Sequence, residues 1–137
     1  MERTSDKPLG TKTYGHIPHL PGSRLGPGDH KVTPGQARIC LEKARGRHDR
    51  IVVQEKVDGS NCAACKLGGV IIPLVRAGYW AKSSRYMQHH LFANWVYANY
   101  IRFDTLLAEG ERLVGEWLAR PTGPGMLYSM SLSWPLT

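Results

Sequence analysis

CAACKLGGVIIPLVRA, residues 62–77, is the stretch that decides how this chain folds. Two short runs of small and β-branched residues flank Gly68-Gly69, a pair that favours a tight turn, so the segment reads as two antiparallel strands. Pro73 has no amide to give to a ladder, which makes the second strand an edge strand or a bulged one. Cys62 and Cys65 have the C-x-x-C spacing of zinc and redox sites. Side chains three apart on a strand point to opposite faces, however, so these read as buried small residues and not as a chelate. With Cys40 the chain has three cysteines, an odd number and no disulfide framework.

Upstream, RIVVQEKV (residues 50–57) is a β-branched run that reads as a further strand with Lys56 at its far end. Before it, Thr33 can cap a helix, Pro34 suits the first helical position and Gln36 can complete a capping box. Ala37, Cys40, Leu41 and Ala44 then recur at the spacing of one apolar face, with Gly46 as a stop. From Arg38 to Lys56 the charges are dense and mixed, the pattern of a solvated helix face. Residues 1–35 are rich in Gly and Pro and read as an irregular arm, with one short strand around Lys12–Tyr14, ahead of a domain over 36–137. His16, His19 and His30 in that arm lack a fourth ligand at a recognisable spacing and read as ordinary loop histidines.

Downstream, RYMQHHLFANWVYANYIRFDTLLAEG (residues 85–110) has helical periodicity. Met87, Leu91, Trp95 and Ala98 form a stripe that Phe92, Val96 and Leu106 widen, and a break near Asn99 would make two helices. At this spacing Trp95, Tyr97, Tyr100 and Phe103 favour core packing over base stacking. His89 and His90 are adjacent, so they face about 100° apart and form no metal pair. ERLVGEWLA (111–119) is another strand, with Glu116 set among apolar neighbours. Met126, Tyr128, Met130, Leu132 and Trp134 alternate with serines in a last, half-buried strand. The class is therefore α+β, a mainly antiparallel sheet with packed helices.

The apolar fraction, 42%, is that of an ordinary globular chain. No apolar run approaches the roughly 18 residues of a membrane helix. The start has no signal-peptide stretch, so a cytoplasmic protein with no membrane partner is expected. A net charge of +7 and a pI near 9.6 favour an anionic partner such as nucleic acid or nucleotide phosphates.

Two residues ask for chemistry. Lys56 stands between Glu55 and Asp58 ahead of a turn at Asp58-Gly59; it is either an exposed lysine beside a hairpin or a nucleophile on a rigid element. Glu116 is costly to bury in a strand unless something pairs with it. In order along the chain come K-x-D-G-x-N (Lys56, Asp58, Gly59, Asn61), the arginine element (Arg76 with Gly78) and G-E-W (Gly115, Glu116, Trp117). This set, over about residues 12–119, closely resembles the nucleotidyltransferase domain of ATP-dependent RNA ligases, in the branch related to the editing ligases. The stretch YGHIPHLPGSRLGPGDHK (14–31) is also similar to the entrance of bacterial members. Each motif alone is weak, and their order and spacing together are fairly specific.

The resemblance implies a nucleotidyltransferase (ATP-grasp-like ligase) fold with ATP and Mg²⁺ as cofactors and RNA ends as partners. Lys56 would attack the α-phosphorus of ATP, release pyrophosphate and carry AMP. The adenylate would pass to an RNA 5′-phosphate, and a 3′-hydroxyl would then displace AMP. Glu55 would face the adenine edge, and Asn61 the nucleotide and the incoming 3′ end. Arg76 and Glu116 would hold the ribose and phosphate side. Asp58 and Gly59 would shape the turn, with Asp58 open to a metal or a partner side chain. An amine attacks only when neutral, and lysine's free pKa of about 10.4 leaves little neutral form at pH 7, so desolvation and nearby cations must lower it.

Family members carry further elements after G-E-W: an aromatic and Asp-containing strand, an acidic E-G motif and a pair of lysines. These have no counterpart in the sequence, and past Glu116 the only basic residue is Arg120. The expectation is accordingly a C-terminally truncated ligase domain, weak or inactive alone, self-associating or completed by another chain. The alternatives are a non-catalytic RNA- or nucleotide-binding module on the same sheet, and a plain structural α+β domain. DNA ligases and capping enzymes share the lysine chemistry, but the G-E-W context and the small size favour RNA ligase.

Overall fold

A computed structural model describes residues 7–53, 55–56, 58–118 and, as backbone, 130–133. The chain forms two compact units: one from residues 1–14 together with 57–137, the other from 15–56.

The larger unit is built on the strand pair read from residues 62–77. Strand β1 (Ser60–Leu67) runs antiparallel to β2 (Val70–Val75), with Ala64 opposite Pro73. Glu109 holds the turn between them by accepting the amide protons of Gly68 and Gly69. Those two bonds pull its carboxyl below the ordinary carboxylate range. Strand β3 (Arg112–Trp117) lies on the other side of β1, and β4 (Met130–Ser133) pairs with β3, all antiparallel. The order is β2-β1-β3-β4, so Pro73 does lie on an edge strand. Of the expected last strand, Met126, Tyr128 and Trp134 lie outside the described residues.

One face of this sheet is covered by two helices, α2 (Met87–Ala98) and α3 (Tyr100–Leu106), which break at Asn99 as the periodicity implies. Asn99 donates a side-chain hydrogen bond to the Trp95 carbonyl there. Cys62, Ala64, Ile71, Leu113 and Trp117 on the sheet meet Phe92, Ala93, Val96, Phe103 and Leu107. The Trp117 ring lies 5.5 Å from Phe92 and 5.4 Å from Trp95, which is itself 5.5 Å from Phe103. Core packing is thus the role of Trp95 and Phe103. The buried stripe is rotated from the expected one: Met87 is 71% and Leu106 54% exposed. Leu107, just past α3, is buried where Leu106 was expected to be. The opposite face carries Cys65, Ile72 and Leu74, covered by Leu9 and Trp80. Cys62 and Cys65 therefore lie on different faces, as strand alternation requires.

In the smaller unit, helix α1 (Pro34–Leu41) starts with the full capping box: Gln36 N–H donates to Thr33 Oγ1 and Thr33 N–H to Gln36 Oε1, both at 3.3 Å. It ends at Leu41 and not near Gly46. Ala37 is its one buried residue, while Cys40 and Leu41 are exposed. A short helix with so little apolar face has nothing to prolong it. A parallel bridge joins His19 and Lys31.

The strand expected over residues 50–57 does not form among its described residues. Ile51, Val52 and Val53 are 50%, 72% and 88% exposed. β-branched residues stabilise a strand only through packing against paired neighbours, and here they have no such cover. Nor is there a strand at Lys12–Tyr14. No described helix is long and apolar enough to cross a membrane.

Candidate functional site

At one end of the sheet, β1 begins, β3 ends and β2 ends. The register of β1 with β3 sets Asn61 directly opposite Glu116. Glu116 Oε1 accepts a hydrogen bond from Asn61 Nδ2 at 3.1 Å, and Oε2 accepts the Gly59 amide at 3.2 Å. Two donors thereby compensate the strand carboxylate that the sequence left unexplained. A carboxylate only accepts, so it also dictates the orientation of the Asn61 amide. Asn61 Oδ1 is then left buried, with no hydrogen-bond partner among the described residues. Buried acceptors are rarely left so.

Gly59 is required by space. A Cβ there would lie 2.6 Å from the Trp117 carbonyl oxygen and 2.8 Å from Leu118 Cδ2. The chain after Asp58 is therefore pressed against the end of β3, and Gly59, Asn61 and Glu116, from two separate motifs, form one hydrogen-bonded group.

Arg76 stands just past β2, exposed, as a central residue of the turn Val75–Gly78. Gly78 N–H donates to the Val75 carbonyl at 2.8 Å and Val75 N–H to the Tyr79 carbonyl at 2.9 Å. Thr13 reaches this turn from the N-terminal segment. Its N–H donates to the Arg76 carbonyl at 3.0 Å. Its hydroxyl lies 2.9 Å from the Val75 carbonyl oxygen and 3.0 Å from that of Arg76. Gly78, at φ +96°, lies so close to Thr11 that a Cβ would collide with the Thr11 carbonyl. The sequence offered no sign of Thr13: it is one threonine in a Gly/Pro-rich arm, and its partners lie 62 and 63 residues away.

Lys56 and Glu55 are exposed and lie at the C-terminal end of the smaller unit. Lys56 is not on a strand end, contrary to expectation. Asp58, also exposed, lies in the larger unit.

Burial, with Glu116 adding to it, pushes the Cys62 thiol up to about 12. Burial also raises Cys65, to about 11, with Arg112 pulling it back and Glu109 raising it. Both stay protonated thiols at neutral pH and are poor metal ligands. Among the described residues, no three His, Cys, Asp or Glu side chains gather as a metal site. His19 instead pairs with Asp29 at 3.6 Å, and His16 meets His30 edge to face.

No curated protein and no solved structure matches the chain. A family model described as RNA ligase matches residues 49–130, more than half of the chain and all seven site residues from Glu55 to Glu116.

Proposed function

This chain belongs to the RNA ligase family, and from that premise we propose that it transfers AMP from ATP to Lys56 and on to the 5′-phosphate of an RNA end. The observation that carries this reading is the group formed by Gly59, Asn61 and Glu116. It ties the residues that follow the lysine to a second motif on β3, and it leaves the buried Asn61 Oδ1 with no hydrogen-bond partner among the described residues.

In the first step the Lys56 amine attacks the α-phosphorus. A nitrogen–phosphorus bond forms, the bond to the bridging oxygen breaks, pyrophosphate leaves, and the amine gives up its proton. In the second step an RNA 5′-phosphate oxygen takes the AMP and Lys56 is regenerated. A 3′-hydroxyl then attacks that phosphate, AMP departs, and the strands are joined. Positioning and charge stabilisation supply most of the catalysis in such transfers.

The residues divide this work. Glu116 holds Gly59 and Asn61, so that the chain beyond Lys56 keeps one conformation. Asn61 Oδ1 offers an acceptor to a hydroxyl or amine of the nucleotide or of the incoming 3′ end. Arg76 puts a permanent cation on the phosphates. Glu55 reads the adenine edge, and Asp58 shapes the turn. No cluster of described residues would hold a metal, so Mg²⁺ would arrive with the nucleotide and would supply charge neutralisation at the phosphates.

The test is incubation with ATP labelled in its α-phosphate, with Mg²⁺, followed by a denaturing gel. Wild type is expected to retain the label weakly, in keeping with a domain whose sequence lacks the elements that follow G-E-W, and Lys56→Ala to retain none. An unlabelled wild-type band would overturn adenylyl transfer in favour of a module that binds nucleotide or RNA without chemistry.

A further inference from the structure

Thr13 is the one buried polar residue among those described, with no exposed surface at all. Buried hydroxyls are kept where they bond, and this one lies between two consecutive carbonyls, those of Val75 and Arg76. Each peptide unit is planar, so fixing its carbonyl fixes its orientation. The Val75 carbonyl belongs to the peptide before the Arg76 Cα and the Arg76 carbonyl to the peptide after it. Two bonds of the turn itself, Gly78 to Val75 and Val75 to Tyr79, close the loop. Thr13 addresses the Arg76 carbonyl twice, through its N–H and its hydroxyl.

The segment around Thr13 is built to stay there. Leu9 packs with Ile72, Leu74 and Trp80 on the sheet face away from α2. Lys7 Nζ lies 5.1 Å from the centre of the Tyr79 ring. Gly78 has no Cβ where Thr11 passes. We infer that residues 7–13 are a strap across the turn Val75–Gly78, and that Thr13 is a positioning residue that sets the direction in which Arg76 leaves the sheet. The inference rests on the reading of Arg76 as a contact to ATP; the strap itself does not.

The test separates the two. Hydrogen exchange on the wild type should show slow amides at Thr13, Val75 and Gly78, and in Thr13→Val those of Val75 and Gly78 should exchange faster. Fast exchange at Thr13 in the wild type overturns the strap, whatever the protein's activity. In the adenylylation assay Thr13→Val should raise KM for ATP roughly threefold to tenfold, the value of about one hydrogen bond, with a smaller change in kcat. Thr13→Ser, which keeps the hydroxyl, should restore KM. Gly78→Ala, which pushes the strap off from the other side, should mimic Thr13→Val and serves if that variant does not fold. Thr105→Val removes a hydroxyl whose bond among the described residues lies within α3, to Ile101, and should change nothing. If Arg76→Ala raises KM but neither strap variant does, the positioning role is overturned. If the wild type takes no label, ATP affinity replaces KM as the readout. An affinity equal in wild type and Arg76→Ala then overturns both the contact and the positioning, leaving the strap as a structural device.

Discussion

Glu116 shows how one side chain can join two distant motifs. Its two oxygens hold Gly59 and Asn61, 57 and 55 residues away in the chain. Gly59 is the tightest point of that arrangement, because the atom a methyl group would strike belongs to the backbone of β3 and cannot swing aside. Gly59→Ala is therefore expected to cost roughly 1–3 kcal/mol of stability, read by denaturant titration, and to abolish labelling of Lys56 as the chain after it shifts. Lys56 and Glu116 drew attention in the sequence by their setting, whereas Asn61 was singled out only by the resemblance to the ligase motif. What each one touches was not legible. The Asn61–Glu116 pair depends on the register of two strands far apart in the chain, and Thr13 carried no local signal because all its partners are tertiary.

Among the elements, the start of α2 has a built-in response to pH. No side chain caps it. Instead Ser84 Oγ accepts the Tyr86 amide at 3.2 Å and lies 2.6 Å from His89 Nδ1, while His90 Nε2 lies 2.6 Å from the Ser84 carbonyl oxygen. Burial first, and the neighbouring His90 second, hold His89 below the usual histidine range. A base depressed in this way is neutral in the fold, whereas the unfolded chain takes up a proton near pH 6.5. Stability is then complete above that pH and falls as the solution is acidified through it. Melting temperature should drop between pH 7.5 and 5.5, and His89→Gln should flatten the drop. Glu109 acts in a separate, more acidic window, because its depressed carboxyl stabilises fully above the ordinary carboxylate pKa and loses that contribution as pH falls toward its lowered one. The strands β1, β2 and β3 and the break at Asn99 could be read beforehand, since periodicity and turn chemistry are local. The end of α1 and the missing strand before Lys56 could not, because both turn on whether anything packs against an apolar residue.

In the whole molecule, residues 15–56 interrupt the larger unit, which is assembled from two separated pieces of chain. The short first piece is therefore part of that unit and not a tail. Removing residues 1–14 deletes Leu9 from the sheet face and the bonds of Thr13. A fall in melting temperature of roughly 5–10 °C is expected, from about 2 kcal/mol of lost packing and hydrogen bonding. An unchanged melt would show that this piece contributes nothing to the unit. The same separation has a consequence during synthesis. Thr13 leaves the ribosome 62 residues ahead of its first partner, a wait of roughly 3–12 s at ordinary elongation rates. Over that interval the segment around Thr13 lacks its native partners, and it is open to chaperones and proteases.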